Sequence, residues 1–116
     1  MPQTETSKYP APDMSLLKEM SEGNHEFFME IVELFLENAP GMLKSITNSA
    51  KADDFDALRF AAHKIISDLF VVGLNYAIPV LKEIERSATM GVINEELISQ
   101  AEEMILYGIE DLKKIS

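Results

Sequence analysis

Residues 55–72 read FDALRFAAHKIISDLFVV, and this stretch decides the fold. At about 100° per residue, Leu58, Ala62, Ile65, Leu69 and Val72 fall into one stripe within roughly 40° of its centre, as in a helix that buries one side. Asp53 or Asp54 can cap its start, and Gly73 ends it. His63 lies about 140° from the stripe, so it points outward or sits at the edge of a bundle. Around it on the wheel are Arg59, one turn before, then Ile66, Ser67 and Phe70 after it, with Phe60 on the other flank. Phe60, Ile66 and Phe70 are too many large apolar groups for a face that meets only water. A histidine among them reads as a reactive group within a docking surface. The pattern also fits an ordinary surface histidine beside residues that cover a neighbouring helix or a dimer seam, and periodicity does not choose between the two.

On either side of this stretch the chain stays helical, with almost no β-alternation. Asp13 can cap a short helix over residues 14–20, which Glu22-Gly23-Asn24 then breaks. Asn24 can cap the next run, where Phe28, Ile31, Val32, Phe35 and Leu36 recur at helical spacing and Glu26, Glu30, Glu33 and Glu37 line another side. Pro40-Gly41 predicts a kink or brief break, because proline removes a backbone donor and clashes with the preceding turn. After Gly73 a helix is expected over residues 76–89, with Pro79 in its first turn. Asn94 starts a last helix that runs almost to Ser116. Short turns between long helices make neighbours antiparallel. The expected fold is all-α, an antiparallel up-down four-helix bundle with a short extra helix at the N-terminus. Residues 1–12 hold three of the five prolines and read as a flexible lead or linker, leaving 13–116 as the bundle.

Composition sets the outer limits. The 116 residues fit one domain, and 47% are apolar, enough for a core. Twenty Asp and Glu against ten Lys and Arg give a net charge of −10, which argues against nucleic acid or anionic lipid as the main partner. There is no cysteine, so disulfides, thiol catalysis and Cys-ligated zinc are excluded. The longest apolar stretch, residues 69–74, is far too short to span a bilayer. The N-terminus lacks a signal peptide's basic start and apolar run. A cytoplasmic protein is expected.

Residues 61–74, AAHKIISDLFVVGL, resemble the histidine-containing phosphotransfer (HPt) family of two-component phosphorelays. Members of that family carry an Ala-His pair, an apolar residue two after the histidine, small residues four and five after it, and a glycine ten after it. Here those places hold Ala62-His63, Ile65, Ser67 with Asp68, and Gly73. Residues 13–40 are similar to the family's opening, a short helix, a polar turn and a long helix ending at a proline. LKEIERSA, residues 81–88, is similar to the helix that follows the histidine helix. The resemblance covers nearly everything after the lead.

What the resemblance implies is a phosphocarrier without kinase activity of its own. His63 would accept a phosphoryl group from an aspartate of one receiver domain, in a response regulator or a hybrid sensor histidine kinase, and pass it to another. An imidazole keeps a nucleophilic nitrogen free at neutral pH, and phosphoryl transfer depends mainly on positioning and on neutralising oxygen charge. The chain then needs no cofactor of its own, with Mg²⁺ on the partner receiver. Arg59, Lys64 and Ser67 would neighbour the phosphate, Ser67 keeping the helix surface low, while Phe60, Ile66 and Phe70 would dock the partner. The family usually has a lysine three residues after the histidine, where this chain has Ile66. Lys64 lies about 100° round the helix from His63, so Arg59 is the better-placed cation. Phe70 and Asp68 depart from smaller or neutral residues. Two readings follow: a working carrier with an altered site, or a degenerate adaptor that docks receivers or dimerises without transfer. Receiver pockets are acidic in this family, so the Arg59–Lys64 surface, less negative than the rest despite Asp56 and Asp68, is where one would dock.

The remaining constellations carry less. Glu22 and His25 have Glu-x-x-His spacing but sit at a helix start without the second copy that a di-iron bundle needs, so no metal is expected. The Glu26–Glu37 row reads as a solvated face. Met14, Met20, Met29, Met42 and Met104 read as flexible core filler. No glycine-rich phosphate loop or nucleophile elbow is present.

Overall fold

The computed structural model describes residues 8–115. Among them the order is α1 (Ser15–Ser21), α2 (His25–Lys51), α3 (Phe55–Val71), a single 3₁₀ turn (Asn75–Ala77), α4 (Ile78–Thr89) and α5 (Glu95–Ile115), with no strand. Helices α2 to α5 form the bundle. α3 packs most extensively on α4 and next on α2, α5 closes the ring against α2 and α4, and the short α1 lies on α2. No described helix is long and apolar enough to cross a membrane.

Local chemistry explains where each helix begins. The Asn24 side chain accepts the backbone N–H of Phe27 at 3.0 Å, and Asp54 accepts that of Ala57 at 3.1 Å. Asn94 accepts from both Glu96 and Leu97, at 3.0 and 3.2 Å. Each cap satisfies donors that a helix start leaves without a partner. The helix after Gly73 begins as the 3₁₀ turn and becomes α-helical only at Ile78, with Pro79 in its first turn, where a missing N–H costs nothing.

The core is the predicted stripe and its counterparts. Leu58, Ala62, Ile65, Leu69 and Val72 are all buried, and they meet Val32, Phe35, Ala39 and Ile46 of α2, Leu81 and Ile84 of α4, and Ile105 and Leu112 of α5. Of the kink or brief break expected at Pro40, the break does not occur, since α2 runs from His25 to Lys51 with Pro40 inside it. Proline forfeits one backbone bond on an exposed side, while Ala39 and Leu43 on either side of it are buried; packing of the apolar face outweighs that local defect. Among the methionines read as core filler, Met104 is buried but Met20 is 49% exposed.

The lead expected to be flexible over residues 1–12 is described only from Lys8 onward. Residues 1–7 lie outside the described residues, but Lys8 and Tyr9 are held against the bundle. Tyr9 stacks on Tyr76 with ring centroids 4.7 Å apart and meets Tyr107 edge-on at 5.1 Å. Its hydroxyl donates to Glu103 at 2.7 Å, and Lys8 pairs with the same carboxylate. These two donors hold the Glu103 carboxyl below the usual carboxylate range. An aromatic ring with polar anchors on both sides was missed because the prolines around it dominated the composition. Farther on, the Asp13 N–H donates to the Gly73 carbonyl at 2.9 Å. Gly73 has φ +76°, and a Cβ there would overlap the Asp13 backbone. The glycine ending α3 is thus required twice, by its left-handed conformation and by the strap that crosses it.

Candidate functional site

The residues singled out by sequence lie along the outer side of α3, opposite its buried stripe. His63 is the centre. Its side chain is 72% exposed, and its Nδ1 lies 2.9 Å from Oε2 of Glu85 on α4. A carboxylate can only accept, so Nδ1 carries the hydrogen of this contact. In the neutral ring Nε2 then keeps the lone pair. The antiparallel packing of α4 on α3 therefore fixes which nitrogen of an exposed imidazole is engaged and which faces outward unbonded.

The surroundings divide into charged and apolar parts. Arg59, Lys64 and Ser67 are exposed, and neither Arg59 nor Lys64 has an ion-pair partner among the described residues. Phe60 and Phe70, expected on the outer surface of α3, are 64% and 55% exposed. Ile66 differs from that expectation, because it is only partly exposed and packs against the core. Its side chain therefore contributes to packing as well as to the outer surface. On the other flank of α3, Asp68 and Val71 border a groove shared with Met20, Leu34, Asn38 and Met42 of α1 and α2. Leu34 is 52% exposed, so the apolar surface extends beyond α3.

Glu85 was missed by sequence reasoning. It stands in LKEIERSA, which carried a resemblance, but one helix gives no sign of which neighbour its acidic residues face. Pairing it with His63 needs the register between α3 and α4. The other histidine, His25, is the first residue of α2 and stacks on Phe28 at 6.1 Å. Among the described residues no group of three or more His, Cys, Asp or Glu is arranged to hold a metal ion.

No protein-family model matches the chain, and no curated protein matches it. Among solved structures, the fold is similar to that of histidine-containing phosphotransfer protein B from Pseudomonas aeruginosa PAO1. The two share 24% sequence identity and superpose with a TM-score of 0.79, over 92% of this chain and 96% of that one. The chain therefore has the helical-bundle fold of an HPt protein.

Proposed function

We propose that the protein is a histidine phosphocarrier of a two-component phosphorelay, with His63 as phosphoacceptor. The observation that carries this reading is the exposed imidazole whose Nδ1 is engaged by Glu85 and whose Nε2 is free. The fold shared with an HPt protein and the Ala62-His63 motif support it.

In the forward step the Nε2 lone pair attacks the phosphorus of an aspartyl phosphate on a receiver domain. The Nε2–P bond forms, the P–O bond to the aspartyl group breaks, and its electron pair leaves on the receiver's carboxylate. Nδ1 keeps its proton throughout. The ring consequently becomes cationic, and the Glu85 carboxylate stabilises that charge as it develops. The second transfer is the reverse, onto another receiver. Mg²⁺ belongs to the receiver, whose acidic pocket complements the Arg59 and Lys64 side of α3, while Phe60, Phe70 and the exposed part of Ile66 meet its apolar rim. The chain carries the group without kinase activity of its own. Its partners are receiver domains of response regulators or of a hybrid sensor kinase, not nucleic acid or membrane, and its place is the cytoplasm.

The test is transfer from a phosphorylated receiver. Wild type should acquire an acid-labile, base-stable phosphate, and His63→Gln should acquire none. Receiver binding without any label on wild type would favour the adaptor reading, for which the absence of a cation at Ile66 is the reason, and Ile66→Lys should then restore transfer. Equal labelling of wild type and His63→Gln overturns the carrier reading.

A further inference from the structure

A phosphoryl group on His63 would bring two negative charges beside the Glu85 carboxylate that accepts the Nδ1 hydrogen. The site needs cations, and α3 offers few. Arg59 stands one turn before His63, while the place one turn after it is Ile66, which carries no charge. The neighbouring helix is the other source. α3 and α4 are antiparallel across the short 72–77 connection and meet at His63 and Glu85. One turn forward on α3, to Ile66, therefore corresponds to one turn back on α4, to Lys82. Lys82 and Glu85 are three apart and share a helix face, with Lys82 on its solvent side.

The cations of α4 are not equivalent. Arg86 is committed, since its guanidinium pairs with Glu83 and contacts the Met90 sulfur at 3.2 Å. Lys82 is exposed and has no ion-pair or hydrogen-bond partner among the described residues. Its flexible stem leaves the ammonium free to swing over the His63–Ile66 edge.

We propose that Lys82 contacts the phosphoryl oxygens on His63, so that the phosphate is held between Arg59 of α3 and Lys82 of α4. The inference rests on the carrier reading. It places the charge that α3 lacks at position 66 on the facing helix instead.

The test uses a small phosphodonor, potassium phosphoramidate, so that no partner protein intervenes. His63 Nε2 displaces ammonia from phosphorus, the P–N bond of the donor breaking as the Nε2–P bond forms. Phosphorus NMR then follows the titration of the attached phosphoryl group in wild type, Lys82→Gln, Lys82→Arg and the control Lys18→Gln, which lies beside the distant His25. Loss of one unit charge at contact distance across water corresponds to about a fivefold change in an equilibrium. Lys82→Gln should therefore move the titration midpoint to higher pH, equivalent to about a fivefold weaker hold on the dianion. Lys82→Arg should restore it, and Lys18→Gln should leave it in place. A wild-type midpoint in Lys82→Gln overturns the role of Lys82 while leaving a labelled His63, and with it the carrier reading, standing. Failure of wild type to take any His63-dependent phosphate overturns both.

Discussion

Leu69 and Phe70 are adjacent in sequence and opposite in environment: Leu69 has no exposed surface, whereas Phe70 is 55% exposed. The same contrast runs the length of α3, with Leu58, Ala62 and Ile65 on one side and Arg59, Phe60 and His63 on the other. The inner side obeys packing, in which volume and apolarity decide and any neighbouring helix will do. The outer side cannot be explained that way. Large apolar groups and an engaged imidazole remain there after the fold has taken what it needs, which is why function is read from that side alone.

The sharpest way to break this division is to cut into each side. Leu69→Ala should cost about 2–5 kcal/mol of unfolding free energy, measured by chemical denaturation, because it leaves a cavity in a close-packed core. The fraction that stays folded should still take phosphate on His63. Gly73→Ala tests a residue that belongs to the phosphotransfer-like motif yet faces structural demands only. It should cost ~1–3 kcal/mol or more, through backbone strain and displacement of Asp13, with His63 chemistry again intact. Phe70→Ala should do the reverse, leaving stability within about 0.5 kcal/mol of wild type while weakening receiver binding about tenfold, as measured by calorimetry.

How much of this was legible beforehand follows the same division. A repeating apolar stripe is a local, periodic signal, and every member of it read from sequence is buried. The caps at Asn24, Asp54 and Asn94 were equally local. His63 stood out because apolar neighbours surrounded it where the wheel predicted water, and the resemblance of residues 61–74 to a family motif then gave it a role. Glu85 did not, because its contact with His63 depends on how far α4 slides along α3, and that register is set by side-chain packing across two helices. Tyr9 was lost for a similar reason. Its partners, Tyr76, Glu103 and Tyr107, are distant in sequence, and nothing near Pro10 announces them.

The smallest expected effect concerns the side of the bundle away from the histidine. Burial pushes the Tyr76 hydroxyl up from its ordinary 10.0 to about 12, and it lies 3.3 Å from the Met104 carbonyl. The unfolded chain therefore ionises Tyr76 first as pH rises. The stability this group contributes is complete below pH 10.0 and is lost between there and about 12. Thermal melts followed by circular dichroism across that window should show a falling midpoint. A Tyr76→Phe variant, with nothing to ionise, should fall less steeply.

The strap built on Tyr9 has one more consequence. The chain contains three tyrosines and no tryptophan, and all three tyrosines stand in the one cluster of Tyr9, Tyr76 and Tyr107. All the tyrosine emission of this chain therefore reports from a single spot, where the segment around Tyr9 crosses the bundle. Tyrosine emission and its anisotropy become a reporter of whether that segment is seated, with no label to attach and no competing signal from the His63 surface.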